Sequence, residues 1–127
     1  MPVESPSILI TDDDDDFRET LRDVFAPRFR TRLAANGEEA LRIVLTEDIH
    51  LVLLDMHMPK LTGLETLRKV KKFRSRIPCI LLSAAMDEFI LRQAQQADAF
   101  SVLSKPVTRQ QITSVVEQAF ERTYGRR

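Results

Sequence analysis

A chain of 127 residues with 43% hydrophobic and 30% charged positions has the size and composition of one globular domain, able to bury about two thirds of its unfolded surface without a metal or disulfide. Its 19 basic and 19 acidic residues cancel, which argues against nucleic-acid binding through bulk charge. No apolar run is long enough to cross a membrane, and Met1 to Pro6 carry neither a basic nor an apolar leader segment, so a cytoplasmic protein without membrane contact is expected.

The chain opens with an apolar run, Ser7 to Thr11, that stops at the acidic run Asp12 to Asp16. Such short runs between turn-prone residues read as strands buried on both faces. Phe17, Leu21, Val24 and Phe25 then recur at helical spacing, which predicts a helix over 15–26 with Asp14 to Asp16 at its amino end, where acids cap and favour the dipole. Arg30 to Ala34 is a half-polar strand, and Asn36-Gly37 turns the chain into a second helix with Ala40, Leu41, Val44 and Leu45 as its apolar face.

His50 to Leu54 is the third predicted strand and runs out at Asp55. A loop with Pro59 and Gly63 leads to a third helix carrying Leu64, Leu67 and Val70, and Cys79 to Ser83 follows as a strand with the one cysteine as a core thiol. A fourth helix, Asp87 to Gln96, offers only Ile90, Ala94 and Ala97 for burial and is the element freest to shift. Phe100 to Leu103 is the last strand, and Ile112, Val115, Val116, Ala119 and Phe120 stripe the final helix.

Strict alternation of five strands and five helices implies right-handed crossovers and a single doubly wound parallel sheet of the α/β, flavodoxin-like class, with helices on both faces. The first, third and fourth strands are apolar throughout and belong at the centre, so the expected order is 2-1-3-4-5. No linker or repeat marks a second domain; the core is expected to run from about residue 7 to about residue 123.

In that order the ends of the strands bring Asp12, Asp13, Asp55, Ser83 and Lys105, the last before Pro106, to one crevice, the place where open α/β sheets bind ligands. Carboxylates crowded there resist ionisation unless they share a cation, and a hard divalent ion such as magnesium suits oxygen ligands. The residue types divide the work of phosphoryl transfer. Asp55 is the candidate nucleophile. Asp13 would hold magnesium directly and Asp12 directly or through water, joined by Asp55 and the backbone carbonyl of His57, while Ser83 and Lys105 would take the phosphoryl oxygens.

The motifs Ile8 to Asp14, Leu53-Leu54-Asp55-Met56-His57-Met58-Pro59 with Gly63, Leu82-Ser83-Ala84 and Ser104-Lys105-Pro106 together resemble the receiver domain of two-component response regulators. The resemblance implies Mg2+-dependent phosphorylation of Asp55 by a histidine kinase or phosphotransfer protein, and a cis Lys105–Pro106 bond. It also implies a switch rather than an enzyme, with a protein partner read through an altered surface by a monomer or weak homodimer. Nothing resembling an output domain follows the last helix before Arg127, so the expected readout is by contact, dimerisation or onward transfer. Where receivers usually carry Tyr or Phe, three residues before the lysine, this chain has Val102; Phe100 is expected on the same side of that strand, and Asp98 stands where Gly is common. Val102 keeps open an alternative, a pseudo-receiver that binds partners without phosphorylation. An enzyme of the haloacid dehalogenase type would leave Asp55 and Lys105 unexplained.

Other features have plainer readings. The His57 imidazole is expected to point outward, His50 to open a strand without chemistry, and Gly63 to permit a backbone conformation closed to other residues. The basic residues Arg68, Lys69, Lys71, Lys72, Arg74 and Arg76 read as a solvated helix face, without direct nucleic-acid contact, and Tyr124 has no assignable role.

Overall fold

A computed structural model describes residues 5–125; Met1 to Glu4, part of the segment scanned for a leader, and the chain end at Arg127 lie outside the described residues. The elements are β1 (Ser7–Thr11), α1 (Asp15–Phe25), β2 (Arg30–Ala34), α2 (Gly37–Thr46), β3 (Leu51–Asp55), α3 (Gly63–Phe73), β4 (Cys79–Ser83), α4 (Glu88–Gln96), β5 (Ser101–Ser104) and α5 (Arg109–Tyr124). All strand pairs are parallel, in the order β2-β1-β3-β4-β5, as the apolar content of the strands required.

Each helix starts where a polar side chain satisfies free backbone N–H groups. Asp14 accepts from the N–H groups of Asp16 and Phe17, Asn36 from Glu39 and Asp87 from Ile90. Thr62 with Glu65 and Thr108 with Gln111 form reciprocal capping boxes.

Alternation along the central strands divides the core in two. Leu9, Val52, Leu54 and Leu81 pack with Ala40 and Val44 of α2, Leu67 and Val70 of α3, and Ala94 of α4. Ile8, Ile10, Leu51, Leu53, Ile80 and Leu82 pack with Leu21 and Phe25 of α1 and Ile112, Val116 and Phe120 of α5. Each such leucine or isoleucine contributes about 1.5–3 kcal/mol on burial. α4 has only Ala94 fully buried, while its Phe89 is 67% exposed, so it has the thinnest hold on the sheet.

Three expectations need correction. His50 precedes β3 instead of opening it: its N–H donates to the Ser7 carbonyl at 3.0 Å and its Nδ1 accepts from the Ser7 N–H at 3.0 Å. The last strand begins one residue later than expected, and Phe100 does not share a face with Val102. Val102 packs toward the α2, α3 and α4 cluster, whereas Phe100 packs with the α1 and α5 cluster. The strict two-residue alternation fails just outside β5, after Asp98 takes a left-handed conformation with φ of 68°, which also accounts for glycine being at home there.

Tyr124 has a role after all. Its hydroxyl donates to the His50 carbonyl at 2.7 Å and its ring meets the imidazole edge-on at 5.6 Å, tying the end of α5 to the start of β3. Burial pushes its phenol up to about 12, so it remains a donor at neutral pH. Tyr124→Phe should lower the unfolding free energy by about 1 kcal/mol, read as a shift in the urea midpoint; an unchanged midpoint would show that water replaces the bond without cost.

Candidate functional site

The site is set by where each strand stops. Asp12 N–H continues the β1–β2 ladder to the Ala34 carbonyl at 3.1 Å, Met56 N–H reaches Leu82 O at 2.8 Å, and Lys105 N–H reaches Ser83 O at 2.8 Å. These bonds hold the residues just beyond the strands in register, so their side chains converge at the carboxyl edge of the sheet. Asp12 is 1% exposed and Asp55 is 4% exposed.

Lys105 Nζ lies 2.9 Å from Asp12 Oδ2 and 3.0 Å from Asp55 Oδ1, and 4.4 Å from the centre of the Phe17 ring. Carboxylate oxygens of Asp12, Asp13 and Asp55 all lie within 4.8 Å of one another. Asp12 Oδ1 also accepts from Asp14 N–H at 2.9 Å, while Arg18 Nη1 donates to the Asp12 carbonyl at 2.7 Å. Asp13 is exposed, which leaves the cluster open to solvent on its side.

Burial raises the Asp55 carboxyl above its usual value, with the neighbouring Asp12 charge adding to the effect; the hydrogen bonds from Lys105 and from the His57 N–H pull the other way without cancelling it. For Lys105, burial alone would lower the ammonium, but hydrogen bonds to Asp12 and Asp55 carry it above its usual value. One ammonium is thus shared by two buried carboxylates, with a third alongside. The negative excess and the all-oxygen donor set of Asp12, Asp13 and Asp55 fit a hard divalent cation.

The other expected residues are distributed as follows. Ser83 is fully buried, and its hydroxyl is engaged locally, donating to the Ala85 carbonyl at 2.8 Å and accepting from the Ala85 N–H at 3.2 Å. His57 is exposed and meets Asp55 through its backbone N–H. Lys105–Pro106 is cis. Gly63 does not have positive φ, so the conformational reading is corrected: a Cβ there would sit 2.3 Å from the Asp55 carbonyl oxygen and 2.8 Å from Met56 Cα. Glycine is needed for the close approach of α3 to the Asp55 backbone. Sequence reasoning missed Phe17 beneath Lys105 and Arg18 on the Asp12 carbonyl, since an apolar stripe and a helix charge give no sign of either contact.

The family described as the response regulator receiver domain matches residues 8–117. The chain belongs to this family. Among curated receivers, it is 34% identical over 112 residues to sporulation initiation phosphotransferase F of Bacillus subtilis, covering 87% of this chain and 90% of the relative. It is also 34% identical over 117 residues to regulatory protein AtoC of Escherichia coli, covering 90% of this chain but 25% of the relative; against AtoC, the chain spans a quarter of the length. A CheY-like receiver domain protein from Methanospirillum hungatei superposes with a TM-score of 0.91 at 22% identity, over 94% of this chain and 97% of that one. A chain of the CheX-CheY-BeF3-Mg2+ complex from Borrelia burgdorferi superposes with a TM-score of 0.84 at 27% identity, over 91% and 89%.

The receiver's raised Asp55 carboxyl has a thermodynamic sign. Between the ordinary value of 3.8 and the raised one, the folded chain keeps a proton that the unfolded chain has lost, so stability falls as pH rises through that window. Asp55→Asn removes this dependence while Asp12 retains Lys105. The variant is expected to melt at or above the wild-type temperature at pH 7 without metal, with the gap closing below about pH 4. A variant less stable at pH 7 would show that the Lys105 contact outweighs the burial of the charge.

Proposed function

We propose that this receiver is a phospho-acceptor switch: a histidine kinase or phosphotransfer protein phosphorylates Asp55, and the changed surface then binds or releases a protein partner. The observation that supports it most is the Asp55 carboxylate, buried, 3.0 Å from the Lys105 ammonium and clustered with Asp12 and Asp13. An Asp55 oxygen attacks phosphorus in line, a new O–P bond forms as the bond to the donor's nitrogen breaks, and the leaving imidazole keeps the electron pair and takes up a proton.

Asp12, Asp13, Asp55 and the His57 carbonyl would hold Mg2+, which when bound supplies positive charge to the phosphoryl oxygens. Lys105 is already in place to neutralise a second oxygen. Ser83 serves a third by rotating its hydroxyl away from Ala85, which releases the bond that now closes the loop before α4. Because α4 is weakly anchored, that release is the route by which phosphorylation reaches a surface. Val102 has no ring to swing, so the readout relies on the loop and α4. We assign no turnover chemistry to the chain, and propose a cytoplasmic location and a monomeric or weakly dimeric state.

Incubation with Mg2+ and a small acyl phosphate should add one phosphoryl group by mass, labile to base and to hydroxylamine as an acyl phosphate is, and absent from Asp55→Asn. Asp13→Ala should weaken Mg2+ binding by at least about tenfold, the loss seen even for outer-shell metal partners. An unmodified wild-type chain that still binds Mg2+ would favour the pseudo-receiver instead.

A further inference from the structure

The basic run of α3 and the loop after it disperses in the fold. Arg68 donates to Gln93 at 2.5 Å, Lys72 lies 5.8 Å from the centre of the Phe73 ring, and Arg74 Nη2 reaches the Leu45 carbonyl at 3.5 Å. Lys71 and Arg76 turn to the sheet edge opposite the carboxylates. There, with Arg122 from the end of α5, Asp98, Phe100 and Thr123, they line a cavity of about 290 Å³.

Each of the three cations has one contact, with Lys71 partly buried and Arg76 and Arg122 exposed. Lys71 Nζ donates to the Ser75 carbonyl at 3.1 Å, Arg76 Nη2 donates to the Thr123 carbonyl at 3.2 Å, and the Arg122 guanidinium stands 5.8 Å from the centre of the Phe100 ring. None of them forms an ion pair among the described residues. Asp98 is the one acid among the described lining residues, which therefore carry a surplus of positive charge in a chain whose total is zero. Carbonyl contacts occupy some of the N–H groups, and the remaining donors of two guanidiniums and an ammonium suit the oxygens of a phosphate-type anion.

We propose that this cavity is an anion site that takes a diphosphate group, either free or at the end of a nucleotide. The site is independent of the Asp55 chemistry, lying at the amino ends of β4 and β5 where Asp55 lies at the carboxyl end of β3. Two arginines from separate elements can each offer paired donors to one phosphoryl unit, and Lys71 supplies a point charge to the other.

The test is an amide NMR titration of the full chain with inorganic pyrophosphate in EDTA, repeated with adenosine diphosphate. Saturable shifts are expected at Asp98, Ala99, Phe100 and Thr123 and not at Asp12 or Asp55, with Asp55→Asn binding as wild type. Arg122→Gln should weaken binding by about threefold to tenfold, as expected for losing a charge-assisted contact. Asp98→Asn should tighten it severalfold, and asparagine tolerates the left-handed backbone at this position. Tighter binding of the nucleotide would identify it as the source of the diphosphate; equal binding would identify the free anion. Absence of saturable shifts, or the same affinity in wild type, Arg122→Gln and Asp98→Asn, would overturn the proposal.

Discussion

One ammonium lodged between two buried carboxylates is the contact on which the rest of the site depends. Taking Asp12 and Asp55 out of water is expensive, and a single Lys105 does not neutralise both. The residual negative charge leaves a demand for a further cation, and with burial it raises the Asp55 carboxyl above its usual value. A pocket with one lysine per carboxylate would be quieter and would have little need of metal.

The fold serves this contact by fixing strand ends. Parallel pairing in register places Asp55 beside Leu82 and Ser83 beside Ser104, so the chemistry-bearing residues lie within two residues of a rigid sheet. Gly63 lets α3 begin against the Asp55 backbone, and Phe17 supplies an aromatic face under the lysine. The outer parts of the same site are softer: the Ser83 hydroxyl holds a loop through Ala85, and that loop leads into a helix with only one fully buried side chain. A rigid Asp55 beside a yielding loop suits the switch proposed for this receiver.

Clusters of opposite charge lie at the two edges of the sheet. The carboxyl edge gathers Asp12, Asp13 and Asp55 around Lys105, whereas the amino edge gathers Lys71, Arg76 and Arg122 around Asp98. A total of zero conceals this polarity completely. It arises because each βα unit sends its loops alternately to one edge and then the other, so residues close in sequence can end at opposite poles.

Periodicity and strand-end chemistry were enough to read the sheet order, the helix faces and the acidic cluster, because a strand buried on both faces must be apolar and a ligand crevice must lie where it stops. The side on which Phe100 packs was not legible, since one left-handed residue, Asp98, breaks the alternation that such a reading assumes. Nor were the His50–Tyr124 contact, the local engagement of Ser83 or the meeting of Lys71 and Arg76 with Arg122, which join residues far apart in the chain or depend on rotamer choice. Local pattern therefore determined which elements form and which groups reach the crevice. Tertiary packing alone decided which donor each group meets, because hydrogen bonds and ion pairs are settled over a few ångströms that no spacing in the sequence encodes.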